Sequence, residues 1–232
     1  MKIKDIINYG IKNLNEKNID DSVIKSKAIL KYILKQNNSY ITCNLEKNLD
    51  DSIVNEYMRY INELIQGKPL QYITHYQEFM KLDFYVDENV LIPQPDTEIL
   101  VEEVLNKIKE IKQQKRKNSG CIKILDLCTG SGAIAISIKK YEQDVEMYAS
   151  DISKKALDIA KQNANKNDVN IEFIHSDMFN NLMSNTKFKN KFDIIVSNPP
   201  YIESGAISKL PIEVINEPHI ALDGRIGWIR FL

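Results

Sequence analysis

The sequence has few cysteines, and their spacing excludes a disulfide framework or a zinc site. Cys43, Cys121 and Cys128 are odd in number and far apart, with no C-x-x-C pair. No apolar run approaches the roughly 20 residues that span a bilayer. The start, Met1-Lys2-Ile3-Lys4-Asp5, lacks the apolar stretch of a signal peptide. These absences predict a cytoplasmic protein with no membrane segment.

An excess of positive charge is also missing. The 232 residues include 31 Lys and Arg against 32 Asp and Glu, a net charge of -1. A protein that binds a long phosphate backbone usually carries a basic surface, so we expect no stable nucleic-acid binding. His75, His175 and His219 show no metal-ligand spacing, so no metal is expected. No Ser/His/Asp order supports a hydrolase.

The first 67 residues have helical periodicity only. One face of the first helix is marked by apolar residues at helical spacing, namely Ile3, Ile6, Ile7, Ile11 and Leu14. Two further helical stretches follow Asp20-Asp21 and Asp50-Asp51, and Gly67 with Pro69 ends the third. We therefore predict a small all-α domain of three helices over residues 1–67.

Residues 68–95 differ from the helical part and form a predicted β-hairpin linker. Residues 70–73 and 82–86 are interpreted as two short extended segments. Pro93 and Pro95 prevent a helix before Asp96-Thr97, and either of these two residues can cap the next helix. The basic and polar run 107–117 is interpreted as a solvated helix end and linker, in preference to a nucleic-acid patch.

From residue 121 onward, short apolar segments alternate with helical ones. Strands are predicted at residues 122–127, 145–149, 171–174 and 192–196, and helices at residues 133–138 and 154–165. Such alternation indicates parallel strands joined by crossover helices. The sequence therefore predicts an α/β fold in which residues 96–232 bind the ligand.

A glycine loop follows the first of these strands. Gly130 and Gly132 lie between strand and helix, where glycines allow a tight turn and a close backbone approach to a ligand. Asp151 ends the next strand, where its carboxylate can accept both hydroxyls of a ribose. The spacing also fits a nicotinamide dinucleotide. However, Asp126 before the loop would repel a pyrophosphate and attract the α-amino group of S-adenosylmethionine.

Asp177 and Met178 follow the third strand. Asp177 fits two roles equally well, as a partner for the adenine amino group or as an ordinary helix cap. In the first role, Met178 would supply an apolar wall beside the adenine.

The fourth strand ends in Asn198-Pro199-Pro200-Tyr201, at the edge of an α/β sheet where ligands bind. Two prolines fix the backbone and remove two N–H donors, Asn198 offers a carbonyl oxygen, and Tyr201 offers a flat ring. If Asn198 Oδ1 and the Pro199 carbonyl each accept one hydrogen of a planar nitrogen, its lone pair points at a sulfonium methyl. The segment therefore predicts nitrogen methylation, with Asn198, Pro199 and Tyr201 as catalytic residues.

These motifs resemble those of the release-factor glutamine methyltransferases of the HemK type. The resemblance spans nearly the whole chain, including residues 67–73, 78–79, 90–98 and 217–224 as well as the glycine loop and the Asn-Pro-Pro-Tyr segment. It implies a Rossmann-like class I methyltransferase sheet at residues 96–232, preceded by a helical substrate-recognition domain at residues 1–67. The implied substrate is the side-chain amide of a glutamine in a class I peptide chain release factor, methylated by a monomer.

The resemblance also implies the site residues. S-adenosylmethionine would be bound by Cys128, Thr129, Gly130, Ser131, Gly132, Asp151, Met178 and Asn198. The glutamine would be bound by Asn198, Pro199, Pro200 and Tyr201.

The chain departs from the family pattern at several positions. His75 and Lys81 replace glycines and are expected to distort the hairpin, and Gln94 replaces an arginine beside the donor pocket. Residues 225–232, which include Trp228, do not match the family, and the chain ends before the expected last strands. We therefore expect a sheet that is incomplete at its C-terminal edge and an exposed flank on the fourth strand.

Three alternatives to glutamine methylation remain at this stage. Adenine-N6 methylation of RNA or DNA shares the Asn-Pro-Pro-Tyr segment, but the net charge and the lack of a basic recognition domain disfavour it. A nicotinamide oxidoreductase is disfavoured by Asp126 and by residues 198–201. An inactive, truncated remnant that only binds its partner is the third alternative, because of the altered C-terminus.

Overall fold

The computed structural model describes residues 1–114, 120–184, 188 and 191–224. The chain divides into two compact units. The first contains Met1–Thr74 and Pro211–Asn216, and the second contains His75–Leu210 and Glu217–Leu232. The end of the basic run at residues 115–117, the linker at 118–119 and the unmatched tail at 225–232 with Trp228 lie outside the described residues.

The first unit is helical throughout. Its helices from the N-terminal part of the chain are α1 (Ile3–Glu16), α2 (Ser22–Leu34), α3 (Asn38–Cys43), α4 (Asp51–Ile65) and α5 (Leu70–Thr74). The three predicted helices correspond to α1, α2 and α4, and their apolar faces form one buried core. Ile3, Ile6 and Leu14 are fully buried in that core, as the helical spacing indicates.

The prediction of an extended segment at residues 70–73 is wrong, because these residues belong to helix α5. Pro69 precedes the helix and its carbonyl accepts a hydrogen bond from Tyr72 N–H at 3.1 Å. Proline favours the first helical turn, since its φ is already close to the helical value. Tyr72 and Ile73 are neighbours and both are buried, which an alternating strand would not allow.

The hairpin of the second unit consists of β1 (Gln77–Phe79) and β2 (Leu82–Phe84), which pair antiparallel with Phe79 opposite Leu82. Met80 and Lys81 form the two-residue turn, with φ of 49° and 57°. Positive φ at both positions is what a tight hairpin turn of this kind requires. Lys81 therefore lies in left-handed backbone that favours glycine, as does His75 with φ of 52°, but the hairpin register is regular.

The second unit also contains the parallel sheet. After α6 (Asp96–Gln114) the order is β3 (Ile122–Leu127), α7 (Ala133–Tyr141), β4 (Val145–Asp151), α8 (Lys154–Lys166), β5 (Glu172–His175), α9 (Asn180–Ser184) and β6 (Ile194–Ser197). The strands lie in the order β5-β4-β3-β6, and every neighbouring pair is parallel. The predicted α/β fold with crossover helices is confirmed.

Burial follows the position of each strand in the sheet. The central strand β3 is almost entirely buried, because the sheet is covered on both of its faces. Strand β6 is the last in the strand order of the described residues, and its Ile195 is 50% exposed.

Three short helices follow β6 in the part of the chain that the structure describes, which ends at residue 224. They are α10 (Ser204–Ile207), α11 (Ile212–Ile215) and α12 (His219–Leu222). Helix α11 belongs to the helical unit, where Glu213 forms an ion pair with Lys25 at 2.6 Å. Asn216 Nδ2 also donates a hydrogen bond to the Gly67 carbonyl at 2.8 Å. These two contacts attach residues 211–216 to the helices at the start of the chain.

Within the described part of the chain, each helix is too short or too polar to cross a membrane.

Candidate active site

A cavity of about 300 Å³ lies in the second unit, at the carboxyl ends of the parallel strands. The segments that follow β3, β4, β5 and β6 all contribute to its wall, as do residues 89–94, Thr97 and part of residues 219–223. In an open parallel sheet, the loops after the strands diverge at this edge and leave a crevice for ligands. Sheet topology therefore brings together motifs that are far apart in the sequence.

The glycine loop forms one wall of this cavity. Gly130 has a φ of 56°, and no atom lies within 4 Å of the Cβ that another residue would place there. Gly130 therefore leaves open space beside the backbone, which suits the close approach of a ligand. Gly132 differs, because its Cβ would come within 2.8 Å of Ile136 Cδ1 and 3.1 Å of Ala160 Cβ. Gly132 serves the packing of α7 against α8 and is not among the residues that line the cavity.

Asn163 on α8 holds the loop in place. Its Nδ2 donates hydrogen bonds to the Ser131 carbonyl at 2.9 Å and to the Tyr85 carbonyl at 3.0 Å. Its Oδ1 accepts one from Tyr85 N–H at 2.7 Å. Asn163 is fully buried among the apolar residues of α8, so its polar groups need these partners. The sequence signal was a polar residue on the apolar face of a helix.

The prediction that Asp126 contacts the ligand directly is wrong. The side chain is fully buried, and it is not part of the cavity lining. Its Oδ2 accepts a hydrogen bond from Thr129 Oγ1 at 2.6 Å, and its Oδ1 has no hydrogen-bond partner among the described residues. Burial raises the pKa of the Asp126 carboxyl to about 7, despite the hydrogen bond from Thr129, which lowers it.

Asp151 occupies the position expected of it, at the end of β4 and in the cavity wall. Its Oδ2 accepts a hydrogen bond from Gly130 N–H at 2.9 Å, and its Oδ1 accepts one from Ser153 N–H at 2.8 Å. Burial raises the pKa of this carboxyl, and the two backbone hydrogen bonds oppose that shift. A carboxylate has about four acceptor sites, so each Asp151 oxygen can still accept a ligand hydroxyl.

Met178 lies in the cavity wall next to Cys128 of the glycine loop. Cys128 Sγ lies 3.7 Å from Met178 Sδ, and both residues have positive φ, at 59° and 46°. Burial raises the pKa of the Cys128 thiol to about 12, so the group is a neutral, weakly polar surface at pH 7. Asp177 also lines the cavity, and its Oδ2 accepts a hydrogen bond from Asn180 Nδ2 at 3.3 Å.

The Asn-Pro-Pro-Tyr segment follows β6 directly. Ser197 Oγ donates a hydrogen bond to the Leu127 carbonyl at 2.8 Å, which fixes the end of β6 against β3. Asn198 and Pro200 line the cavity, but Pro199 and Tyr201 are not in its lining. Asn198 Nδ2 donates a hydrogen bond to Thr97 Oγ1 at 3.2 Å. Tyr201 is 65% exposed, so its ring is free to contact another molecule.

Comparison with known proteins supports the grouping of these motifs. The family model of the methyltransferase small domain matches residues 97–223, and that of the PrmC N-terminal domain matches residues 5–74. The release factor glutamine methyltransferase of Clostridium acetobutylicum is 42% identical over 236 residues, which cover 100% of this chain and 78% of that protein. Proteins of the same name from Leptospira interrogans and Buchnera aphidicola are each 38% identical. They match 90% and 96% of this chain, and 71% and 74% of their own lengths.

The chain belongs to the release factor glutamine methyltransferase family.

Family membership confirms the resemblance drawn from the sequence motifs, and it makes the chain a methyltransferase that uses S-adenosylmethionine. The cavity suits that donor. Gly130 leaves space beside its backbone, Asp151 has acceptor capacity for ribose hydroxyls, and Met178 offers an apolar surface to a base. Asp126 does not reach the cavity, so it cannot select S-adenosylmethionine over a nicotinamide dinucleotide. Family membership identifies the donor instead.

Eight of the predicted site residues line the cavity together, namely Cys128, Thr129, Gly130, Ser131, Asp151, Met178, Asn198 and Pro200. Several further lining residues were not in the predicted set, among them Ile92, Thr97, Ile152 and His219. Ile152 carries a signal in the sequence, because it is a large apolar residue directly after the predicted ribose acid. It is 47% exposed and lines the cavity.

The segment 90–97 is held by a residue from the end of the described chain. Glu217 is buried and its Oε2 accepts a hydrogen bond from Ile92 N–H at 2.9 Å. Gln94 lines the cavity, and its Nε2 donates a hydrogen bond to the Ile92 carbonyl at 3.0 Å. The residue that replaces the family's usual arginine therefore contributes to the shape of its own loop.

Proposed function

We propose that this enzyme transfers a methyl group from S-adenosylmethionine to the side-chain amide nitrogen of a glutamine in a class I peptide chain release factor. The observation that carries the proposal is the position of Asn198. It stands at the carboxyl end of β6, in the wall of the same cavity as the glycine loop and Asp151. Its family relatives bear the name of this reaction.

The loops after β3 and β4 would hold the donor. S-adenosylmethionine supplies an electrophilic methyl group on a sulfonium centre. The two oxygens of Asp151 would accept the ribose hydroxyls while they keep the backbone N–H groups of Gly130 and Ser153. Met178 and Ile152 would enclose the adenine, with Asp177 beside its amino group. Cys128, Thr129 and Ser131 would contact the donor from the glycine loop.

The Asn-Pro-Pro-Tyr segment would hold the glutamine amide. Asn198 Oδ1 and the Pro199 carbonyl would each accept one hydrogen of the amide nitrogen, which turns its lone pair toward the methyl group. Pro200 forms the adjoining wall, and the exposed ring of Tyr201 would stack on the planar amide. Positioning of this kind is worth about 7–11 kcal/mol of a barrier. As the nitrogen bonds to the methyl carbon, the carbon–sulfur bond breaks and its electron pair stays on sulfur, so that neutral S-adenosylhomocysteine leaves. No base is needed before attack, because the cationic nitrogen then loses its extra proton to water.

The partner and its surroundings belong to the same proposal. Residues 1–67 would recognise the release factor, residues 68–95 would link, and residues 96–232 would bind the donor. We place the enzyme in the cytoplasm, because its three cysteines are free, and we propose that it acts as a monomer. The net charge of -1 disfavours stable binding to nucleic acid.

A label-transfer assay tests the proposed function. The chain is incubated with methyl-labelled donor and a release factor, with a glutamine-to-alanine variant of that release factor, and with adenine-containing RNA and DNA. We expect label in the first protein only, with a mass increase of one methyl group on the glutamine. Label in nucleic acid alone would replace the proposal with adenine-N6 methylation. Partner binding without any label would instead identify a remnant.

The variant Asn198→Ala ties the activity to this site. We expect loss of at least about 100-fold in kcat, since the amide would lose one of its two fixed acceptors. Asn198 is only half-buried, so the free energy of unfolding should change by less than about 1 kcal/mol. A variant that folds normally and still transfers methyl at the wild-type rate would show that catalysis takes place elsewhere.

A further inference from the structure

The side chains of Asn198 and Thr97 meet in the cavity wall, although 101 residues separate them in the sequence. Asn198 Nδ2 donates to Thr97 Oγ1 at 3.2 Å. Both residues are half-buried and both line the cavity. One edge of the Asn198 amide therefore has a fixed partner, and its other edge carries the carbonyl oxygen.

The position of the Thr97 hydroxyl is well fixed by its own surroundings. Thr97 lies in the first turn of α6, and its N–H donates to the Gln94 carbonyl at 3.0 Å. Pro93 and Pro95 restrict the backbone just before it. The same segment is anchored by the hydrogen bond from Ile92 N–H to Glu217. Thr97 is thus a rigid reference point for the Asn198 side chain.

We infer that Thr97 is a positioning residue that holds the Asn198 amide with its oxygen toward the substrate nitrogen. The inference rests on the proposed function, because it takes a glutamine amide as the substrate. The nitrogen of that amide has only hydrogens to donate, so Asn198 must present Oδ1 to it. In the opposite orientation, the Asn198 N–H groups would face the N–H groups of the substrate.

A threonine hydroxyl suits this task because it accepts a hydrogen bond as readily as it donates one. When the substrate selects the oxygen edge of Asn198, the N–H edge turns to Thr97 and finds an acceptor there. Without the hydroxyl, that edge would lose its partner in the cavity wall and the amide plane could rotate. The acceptor for the substrate would then be misplaced during the chemical step.

The variants Thr97→Val and Thr97→Ser separate the hydroxyl from the shape of the side chain. Valine keeps the branched shape and removes the hydroxyl, while serine keeps the hydroxyl, so the pair is matched. The measurements are kcat and KM with a release factor, Kd for S-adenosylmethionine, and the midpoint of thermal unfolding. We expect Thr97→Val to lower kcat by about 10- to 100-fold, with Kd for the donor within about twofold of wild type. Thr97→Ser should recover most of kcat.

Three results would overturn the inference. The first is a kcat for Thr97→Val within twofold of wild type. The second is an equal loss in Thr97→Ser, which would make the hydroxyl irrelevant. The third is a raised donor Kd that accounts for the whole loss, which would make Thr97 a donor contact. An unlabelled release factor with the wild-type enzyme would remove the proposed function and this inference together, whereas the other results affect Thr97 alone.

Discussion

The Glu217 carboxylate accepts a hydrogen bond from the Ile92 backbone N–H at 2.9 Å, across 125 residues of sequence. Both residues are buried, with 7% and 6% of their surface exposed. A buried N–H group needs a partner, so Glu217 holds the segment that carries Ile92 and Thr97 into the cavity wall. The end of the described chain thus shapes a site whose other parts come from its middle.

Removal of this acceptor should loosen the cavity. We expect Glu217→Ala to lower the free energy of unfolding by about 1–3 kcal/mol, because the Ile92 N–H would remain buried and unpaired. The donor should also bind more weakly, since Ile92 lines the cavity. Glu217→Gln keeps an acceptor oxygen, so its losses in unfolding free energy and in donor-binding free energy should each be less than half of those of Glu217→Ala. Denaturant unfolding and calorimetric titration measure them. If the Gln variant loses as much stability and donor affinity as the Ala variant, the negative charge of Glu217 matters and the hydrogen bond does not.

Gly224 packs against the backbone of Tyr201 and should not accept a side chain. A Cβ there would lie 2.8 Å from Tyr201 Cα and 2.9 Å from its carbonyl carbon. Gly224 N–H also donates to the Ile202 carbonyl at 2.8 Å, so the two segments cannot separate without loss of that bond. We expect Gly224→Ala to displace residues 200–201, to lower kcat, and to destabilise the fold by about 1–3 kcal/mol.

Gly205→Ala is the matched control, because nothing lies within 4 Å of the added Cβ. Both variants are compared with wild type by kcat and by thermal unfolding. Gly205→Ala should retain wild-type kcat. An equal, wild-type-like kcat in both variants would mean that the contact between Gly224 and Tyr201 does not position the Asn-Pro-Pro-Tyr segment.

Asp151 should contribute more to donor binding than to catalysis. Its two oxygens already accept two backbone N–H groups, and the proposed ribose contacts use the remaining acceptor sites. We expect Asp151→Ala to raise the Kd for S-adenosylmethionine by roughly 10- to 100-fold, since hydrogen bonds to a charged group contribute about 1.5–3 kcal/mol. Asp158→Ala, at an exposed position on α8, is the control for removal of one carboxylate. Wild-type Kd in Asp151→Ala would exclude the ribose contact.

The stability of the enzyme should depend on pH through Asp126. Burial raises the pKa of this carboxyl to about 7 in the folded state, whereas an unfolded aspartate has a pKa of about 3.9. Between about pH 4 and pH 7 the folded state keeps a proton that the unfolded state has lost. The contribution of Asp126 to stability is therefore most favourable below pH 4 and declines as the pH rises to 7.

Asp126→Asn removes this titration. We expect the difference in unfolding free energy, wild type minus variant, to fall steadily from pH 4 to pH 7, when both proteins are unfolded by denaturant at a series of pH values. A constant difference over that range would show that Asp126 has the same pKa in both states and would contradict the effect of burial.

Local sequence patterns predicted most of the fold. The strands β3 to β6 were recognisable from short apolar runs, and the helices α1, α2 and α4 from apolar residues at helical spacing. The error at residues 70–73 has both a local and a tertiary cause. The segment Leu70-Gln71-Tyr72-Ile73 has strand-forming residues, but Pro69 starts a helical turn and the core takes up both Tyr72 and Ile73. Tertiary packing thus overrode a weak propensity.

The site was predicted in part, and the division has a clear cause. Residues in the loops directly after the strands, such as Gly130, Asp151 and Asn198, reach the cavity because parallel strands end at the same edge. The other residues of the site depend on contacts that no local pattern contains. Thr97 meets Asn198 across 101 residues, and Asn163 binds Tyr85 across 78.

The sequence by itself therefore determined the type of chemistry, because a glycine loop, a ribose acid and an Asn-Pro-Pro-Tyr segment each carry their function in a few adjacent residues. Only the tertiary structure decided which carboxylates reach the ligand. Asp126 is the second-last residue of β3, and Asp151 is the last residue of β4. Because Asp126 lies opposite Ala149, both carboxylates are on the same face of the sheet, and Asp151 lies two residues further toward its carboxyl edge. Asp126 is enclosed beside Thr129, while Asp151 opens into the cavity. That difference follows from packing around each strand end, which is a property of the folded molecule.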